Sequence, residues 1–177
     1  MWPAVRAAAL LYLETGEPFQ KAKGQGMPPW PLPETGLPAA AERRKLPAPM
    51  TEVLIDIAIA EKRPDDVLRW YDRRKPQPRG WGDSWLSDDR IAGAVVGVSP
   101  DRALAIWKTM AESHIGLTNV RAYETAAGYL RKVHRTLKKL GKEREWQEYL
   151  AALRQTNTRK PRLVEILDGL GGGRIID

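Results

Sequence analysis

The chain has 177 residues, of which 42% are hydrophobic, and a formal net charge of +7. This length and apolar content are enough to bury one sizeable core, so the sequence indicates a single domain or one array of stacked units and not a disordered chain. Because it has no cysteine, a disulfide framework, a thiolate zinc site and a cysteine nucleophile are excluded within these residues.

Hydropathy and charge bear on the expected location of the protein and on where its basic residues lie. No apolar run is long enough to span a membrane, and we expect a cytoplasmic protein. Residues 121–162 hold twelve Lys or Arg and four Glu, which gives +8, so the remainder sums to about −1. The basic character therefore belongs to the C-terminal part of the chain.

The first two segments are predicted to be a helix and a proline-rich stretch. MWPAVRAAALLYLETGE lacks the basic start of a signal peptide, which favours an N-terminal helix over residues 1–16. Residues 17–49 carry eight prolines and three glycines, so a long helix cannot run through them. Because they also carry apolar side chains, among them Phe19 and Leu37, we expect a segment docked on the helices.

Residues 50–170 are predicted to be helical. In TEVLIDIAIAEKR the apolar residues partly alternate, as they would in a strand. A buried helix is favoured instead, because Thr51 can serve as its N-cap and Pro64 can begin the next helix. Its predicted inner face consists of Val53, Leu54, Ile57 and Ala58. Ser87, Ser99 and Thr118 are the predicted N-caps of later helices. We predict three antiparallel helix pairs, a short closing helix and a flexible tail: 51–62 with 64–74, 88–98 with 100–115, 119–140 with 143–157, then 161–170 and 171–177.

Two similar phrases suggest a repeat. RPDDVLRWYD at residues 63–72 and SPDRALAIWK at residues 99–108 each place Pro at a first helical position, followed by Asp, Leu and Trp. Their spacing of thirty-six residues is typical of helix-turn-helix repeats. The predicted fold class is therefore all-α, a TPR-like superhelix of stacked helix pairs, with a few-helix globule as the alternative.

The most regular pattern lies between residues 119 and 140. Apolar residues there recur at alternating intervals of three and four, which predicts an amphipathic helix of about six turns that Gly141 ends. The predicted stripe consists of Tyr123, Ala126, Leu130, Val133, Leu137 and Leu140.

Several phrases resemble the C-terminal helical region of bacterial SWIM-type zinc finger proteins. These are LIDIAIAEKRPDDVLRWYD, RALAIWK, YETAAGYLRKVHRTLKKLGKEREWQEYLAALR and RKPRLVEILDGL. The resemblance covers most of the chain and rests on core and turn patterns. The family carries zinc on an upstream Cys-x-Cys and Cys-x-His motif, which is absent here, so the chain is expected to be a fragment of a longer protein or a relative without the finger.

The predicted architecture favours a non-enzymatic protein-interaction scaffold, and we expect no zinc or other cofactor to be held by this chain. Stacked helix pairs bind a partner helix or an extended peptide in a concave groove, so a protein or peptide is the expected partner. The alternative is an accessory nucleic-acid-binding module that uses the basic residues 131–162. No membrane partner is expected.

Some conspicuous residues have simple structural explanations. His114 and His134 have no companion at metal-ligand spacing, so we predict solvent-facing histidines and no metal site. The pairs Asp65/Asp66 and Asp88/Asp89 resemble catalytic carboxylates, but each is predicted in a first helical turn, where acidic groups favour the helix dipole. No catalytic motif is found.

Two sets of residues are candidates for binding. Trp70, Trp107 and Trp146 are predicted core anchors, whereas Trp30, Trp81 and Trp85 lie among prolines and glycines and are candidates for contacting a protein partner. Phosphate contact by a run of exposed cations is the competing hypothesis, although no aromatic residue interleaves the run. Its candidates are Arg131, Lys132, Arg135, Lys138, Lys139, Lys142 and Arg144, with Arg159, Lys160 and Arg162 expected nearby.

Overall fold

The computed structural model describes residues 2–16, 48–74 and 83–171, and every regular element within these ranges is an α-helix. The predicted all-α class is therefore confirmed. None of the helices in these ranges is both long and apolar enough to cross a membrane. The described helices are α1 (Trp2–Thr15), α2 (Thr51–Ala60), α3 (Pro64–Arg73), α4 (Asp83–Val95), α5 (Pro100–Gly116), α6 (Val120–Lys139), α7 (Glu143–Thr156) and α8 (Pro161–Leu170).

The chain divides into two compact units, Met1–Gln77 and Pro78–Asp177. Most of the predicted docked segment, including Trp30, lies outside the described residues, as do Trp81 and residues 172–177 of the predicted tail.

In the first unit, α2 packs against both α1 and α3. The strand alternative for α2 is wrong, because Leu54, Ile55 and Ala58 are buried together as successive residues of a helical face. Val53, predicted on that face, is exposed instead. The core of this unit is completed by Val67 and Trp70 of α3, which agrees with the prediction that Trp70 is a core anchor.

The sequence correctly predicts where α3 begins after the turn that follows α2. Pro64 is the first residue of α3, and Asp65 and Asp66 lie in its first turn. Arg63 holds this turn through ion pairs to Asp66, at 2.6 Å, and to Glu61, at 2.8 Å. The predicted N-cap Thr51 is wrong, since Met50 occupies the N-cap position and Thr51 is the first helical residue.

In the second unit, α5 and α6 share the most extensive helix contact. Helix α4 packs on α5, while α7 and α8 both pack on α6. Trp107 and Trp146 are buried as predicted. The largest side chains that are fully enclosed in this unit are Ile91, Val95, Met110, Leu130, Val133, Leu137, Trp146, Leu150, Leu163 and Leu167.

The predicted start of α4 is wrong. The helix begins at Asp83, not after Ser87, so Ser87, Asp88 and Asp89 lie within its second turn. Trp85 is consequently a residue of α4 and not of a loop. At the other end, α4 stops at Val95, and a turn in which the Ser99 amide donates to the Val95 carbonyl leads into α5.

Of two other predicted N-caps, Ser99 is at the predicted position and Thr118 is not. Ser99 occupies the N-cap position of α5, but its side chain makes no capping hydrogen bond. Asn119, not Thr118, caps α6, and its side chain accepts a hydrogen bond of 2.9 Å from the Ala122 amide. Thr118 has a positive φ of 54° and belongs to the turn before the cap.

The end of α6 follows the prediction at Gly141, which has a φ of +68°. The Lys142 amide donates to the Leu137 carbonyl and the Gly141 amide to the Lys138 carbonyl, which is the Schellman arrangement. Leu140, predicted on the buried stripe, is 42% exposed because it follows the last helical residue, where the chain turns away.

Candidate binding groove between α4, α5 and α6

A groove in the second unit lies between α4, the start of α5 and the C-terminal half of α6. Its volume is about 570 Å³. Gly93 belongs to α4, Pro100 begins α5, and Leu140 follows α6, so three separate elements build the walls. The groove is lined by Asp89, Gly93, Val96, Gly97, Pro100, Trp107, Lys132, Arg135, Thr136, Lys139 and Leu140.

The lining of the groove combines apolar side chains, here termed its floor, with cations of α6, here termed its basic edge. The floor consists of Val96, Pro100, Trp107 and Leu140, and the basic edge of Lys132, Arg135 and Lys139. Lys132, Arg135 and Lys139 follow one another at intervals of three and four residues, which places them along one side of α6. Arg131 and Lys138 are exposed on the same helix but do not line the groove. The predicted basic run is thus divided between the groove and the surface beside it.

Asp89 ties the three walls together. Its Oδ1 accepts a hydrogen bond from Trp107 Nε1 at 2.9 Å, and both carboxylate oxygens accept from Lys132 Nζ, at 2.5 and 2.7 Å. Lys132 Nζ also lies 5.6 Å from the centre of the Tyr129 ring. The predicted capping role of Asp89 is therefore wrong, because its carboxylate joins α4 to α5 and α6 instead.

The remaining cations of the predicted run differ in their partners. Lys142 Nζ lies 3.4 Å from Asp101 Oδ1, and Arg144 Nε lies 2.8 Å from Glu148 Oε1. Lys132 pairs with Asp89, as described above. The other four cations of the run form no ion pair within residues 2–16, 48–74 and 83–171. These four are Arg131, Arg135, Lys138 and Lys139.

Comparison of the chain with protein-family models, with curated proteins and with solved structures finds no match in any of the three. The resemblance to SWIM-type zinc finger proteins therefore stays a prediction.

The cations expected near the basic run, Arg159 among them, are not part of the groove lining. Lys160 Nζ donates to the carbonyl of Ile115 at 3.2 Å, which satisfies the C-terminal end of α5. Arg162 pairs with Glu165 at 2.7 Å. Neither Lys160 nor Arg162 lines the groove.

Both histidines are half-buried, so the prediction that they face solvent is wrong. His114 stacks on Tyr129 with 5.7 Å between ring centres, and His134 stacks on Trp146 with 4.8 Å. Burial lowers the pKa of His114 below its usual value. In the described ranges, no three or more His, Cys, Asp and Glu side chains come together as metal ligands would.

A second polar cluster, which the sequence analysis missed, connects α5 and α7. The Tyr149 hydroxyl donates to Glu112 Oε1 at 3.0 Å, and Lys108 Nζ donates to Glu145 Oε1 at 3.0 Å. Burial, and then the Glu112 carboxylate, raise the pKa of Tyr149, so the phenol stays protonated. The signal was the four-residue interval within each of the pairs 108/112 and 145/149.

Proposed function

We propose that this chain is a non-enzymatic helical-repeat scaffold that binds a segment of another protein. The single observation that carries the proposal is the open groove between α4, α5 and α6, with its apolar floor and basic edge. Grooves of this kind accept the apolar side chains of a helix or an extended peptide, while polar groups at the rim fix its direction.

Two further parts of the proposal rest on the sequence. The resemblance to the C-terminal helical region of SWIM-type zinc finger proteins supports a place beside a zinc-binding motif in a longer protein or in a relative of one. The two Pro-Asp helix starts, at Pro64 and Pro100, support stacked helix pairs as the building unit. A cytoplasmic location is part of the same proposal.

Selection from a random peptide library displayed on phage tests this function without assuming a partner. The folded chain should enrich peptides that share a motif, and the synthetic peptides should bind saturably. Failure to enrich any binding peptide over a range of salt concentrations would count against the scaffold. Turnover of a small molecule by the purified chain would show that the chain is an enzyme and would contradict the scaffold function.

A second candidate function is accessory nucleic-acid binding. The observation that favours it is the set of four cations of α6 that form no ion pair in the described ranges, because such groups are free to contact phosphates. Titration with single- and double-stranded DNA and RNA at several salt concentrations tests it. Binding should weaken steeply with salt, and reversal of Arg135, Lys138 and Lys139 to Glu should abolish it.

A further inference from the structure

We infer that the groove between α4, α5 and α6 recognises an acidic peptide segment in which one large apolar side chain is flanked by Asp or Glu. This inference rests on the proposed scaffold function and names the chemistry of its partner. Three features of the groove carry it: its uncompensated charge, its apolar floor and the open space over two glycines of one wall.

The charge inside the groove is only partly compensated. Of the three lining cations, Lys132 is held by both oxygens of Asp89. Arg135 and Lys139 form no ion pair in the described ranges, so the lining carries an excess of about two positive charges. Carboxylates complement these groups, and a guanidinium such as that of Arg135 binds a carboxylate through two parallel hydrogen bonds.

The apolar lining residues favour a bound peptide that has an apolar side chain between its carboxylates. Val96, Pro100 and Leu140 line the groove together with Trp107, whose indole N–H is already engaged by Asp89. Leu140 is substantially exposed, and a bound apolar side chain would remove part of that surface from water. Such contacts supply affinity, while the rim charges supply specificity and a faster encounter.

One wall of the groove has room for close approach. Gly93 and Gly97 are four residues apart, and a Cβ added at either position would meet no atom within 4 Å. A bound segment can therefore approach the α4 backbone here closely. Because Gly93 lines the groove and a Cβ has open space there, we expect a bulky side chain at this position to occupy part of the groove.

The same features favour a peptide over a nucleic acid. A phosphate backbone has no apolar group that could contact the apolar lining residues, whereas the apolar side chain of a peptide can. A nucleic acid would bind more strongly to the whole basic surface of α6 than to the groove alone. That surface includes Arg131 and Lys138, which lie outside the groove. Nucleic-acid binding therefore depends on Arg131 and Lys138 as well as on the groove cations, whereas peptide binding depends on the groove cations alone.

Fluorescence polarisation with labelled synthetic peptides tests the inference. One peptide carries Leu or Phe between Glu residues, and a matched peptide replaces each Glu with Gln. The acidic peptide should bind at least about tenfold more tightly, because only its side chains pair with Arg135 and Lys139. Equal affinity of the two peptides, or no binding of the acidic one, overturns the inference.

Charge reversal then locates the site. The double variant R135E/K139E should weaken binding of the acidic peptide by about tenfold or more, whereas R131E/K138E makes the same charge change on the same helix outside the groove and should weaken it by about threefold or less. Equal losses in both double variants would indicate diffuse attraction to the basic surface and overturn the inference. Parallel titrations with single-stranded DNA show whether that surface binds nucleic acid.

A steric variant gives an independent answer. Gly93→Leu should block the groove and weaken the acidic peptide by about tenfold, while Ala94→Leu, at an exposed neighbouring position outside the lining, should leave affinity unchanged. Thermal unfolding verifies that both variants fold. If library selection enriches peptides whose binding ignores Gly93→Leu and R135E/K139E, the inference fails while the scaffold function stands; if nothing is enriched, the scaffold function fails.

Discussion

The carboxylate of Asp89 holds the ammonium group of Lys132 with both oxygens, across forty-three residues of sequence. The same carboxylate accepts the indole N–H of Trp107, so a single side chain of α4 connects it to both α5 and α6. Because all three groups lie in or beside the groove, this connection determines the position of the α4 wall relative to the basic edge.

The first prediction concerns this connection. Asp89→Asn should lower the free energy of unfolding by about 1–3 kcal/mol, because a charge-assisted pair that is only partly exposed is lost while Lys132 stays in place. Urea unfolding measures the change. Asp101→Asn is the control, since Asp101 is 82% exposed and 3.4 Å from Lys142, and it should cost about 0.5 kcal/mol or less. Equal costs would mean that Asp89 does not hold the helices together.

The second prediction separates two leucines near the end of α6 that the sequence pattern places on the same face. Leu137 is fully buried and Leu140 is substantially exposed. Leu137→Ala should therefore destabilise the second unit by about 2–5 kcal/mol through loss of burial and creation of a cavity, whereas Leu140→Ala should cost less than about 1 kcal/mol. Chemical denaturation of both variants provides the comparison, and similar losses would contradict the observed end of α6.

Much of the helix layout could be predicted from local sequence signals. Proline fixes φ at a first helical position, so Pro64, Pro100 and Pro161 each located the start of a helix correctly. The three-four spacing between Tyr123 and Leu137 identified the buried face of α6, because that period matches the helical turn. These signals depend on neighbouring residues alone.

The groove could not be predicted in this way. The role of Asp89 depends on Trp107 and Lys132, which approach it only after the helices pack, and a local interpretation as a capping residue was equally consistent with the sequence. The start of α4 was misplaced for a similar reason, since both Asp83 and Ser87 are residue types favoured at helix starts. Leu140 fits the helical period but lies beyond the last helical residue.

The third prediction compares two glycines. Gly141 has a φ of +68° in the turn after α6, so Gly141→Ala should destabilise the chain by about 1 kcal/mol, since a Cβ is strained in that conformation. Gly93 is helical and has open space around it, so Gly93→Ala should stabilise the chain by about 0.5–1 kcal/mol. The midpoint temperature of thermal unfolding should therefore fall in Gly141→Ala and rise in Gly93→Ala. A shift of the same sign in both variants would be inconsistent with these backbone conformations.

The fourth prediction concerns pH. Burial lowers the pKa of His114 in the folded chain below its usual value of about 6.5, so the unfolded chain binds a proton more readily. The contribution of His114 to stability is therefore fully present above about pH 6.5 and decreases as the pH falls from there toward the lowered folded pKa. His114→Gln removes this titration, so urea unfolding at pH 7.5 and pH 5.5, values chosen on either side of about 6.5, should show a smaller loss of stability in the variant than in the unchanged chain. An equal loss in both proteins would show that other groups account for the acid sensitivity.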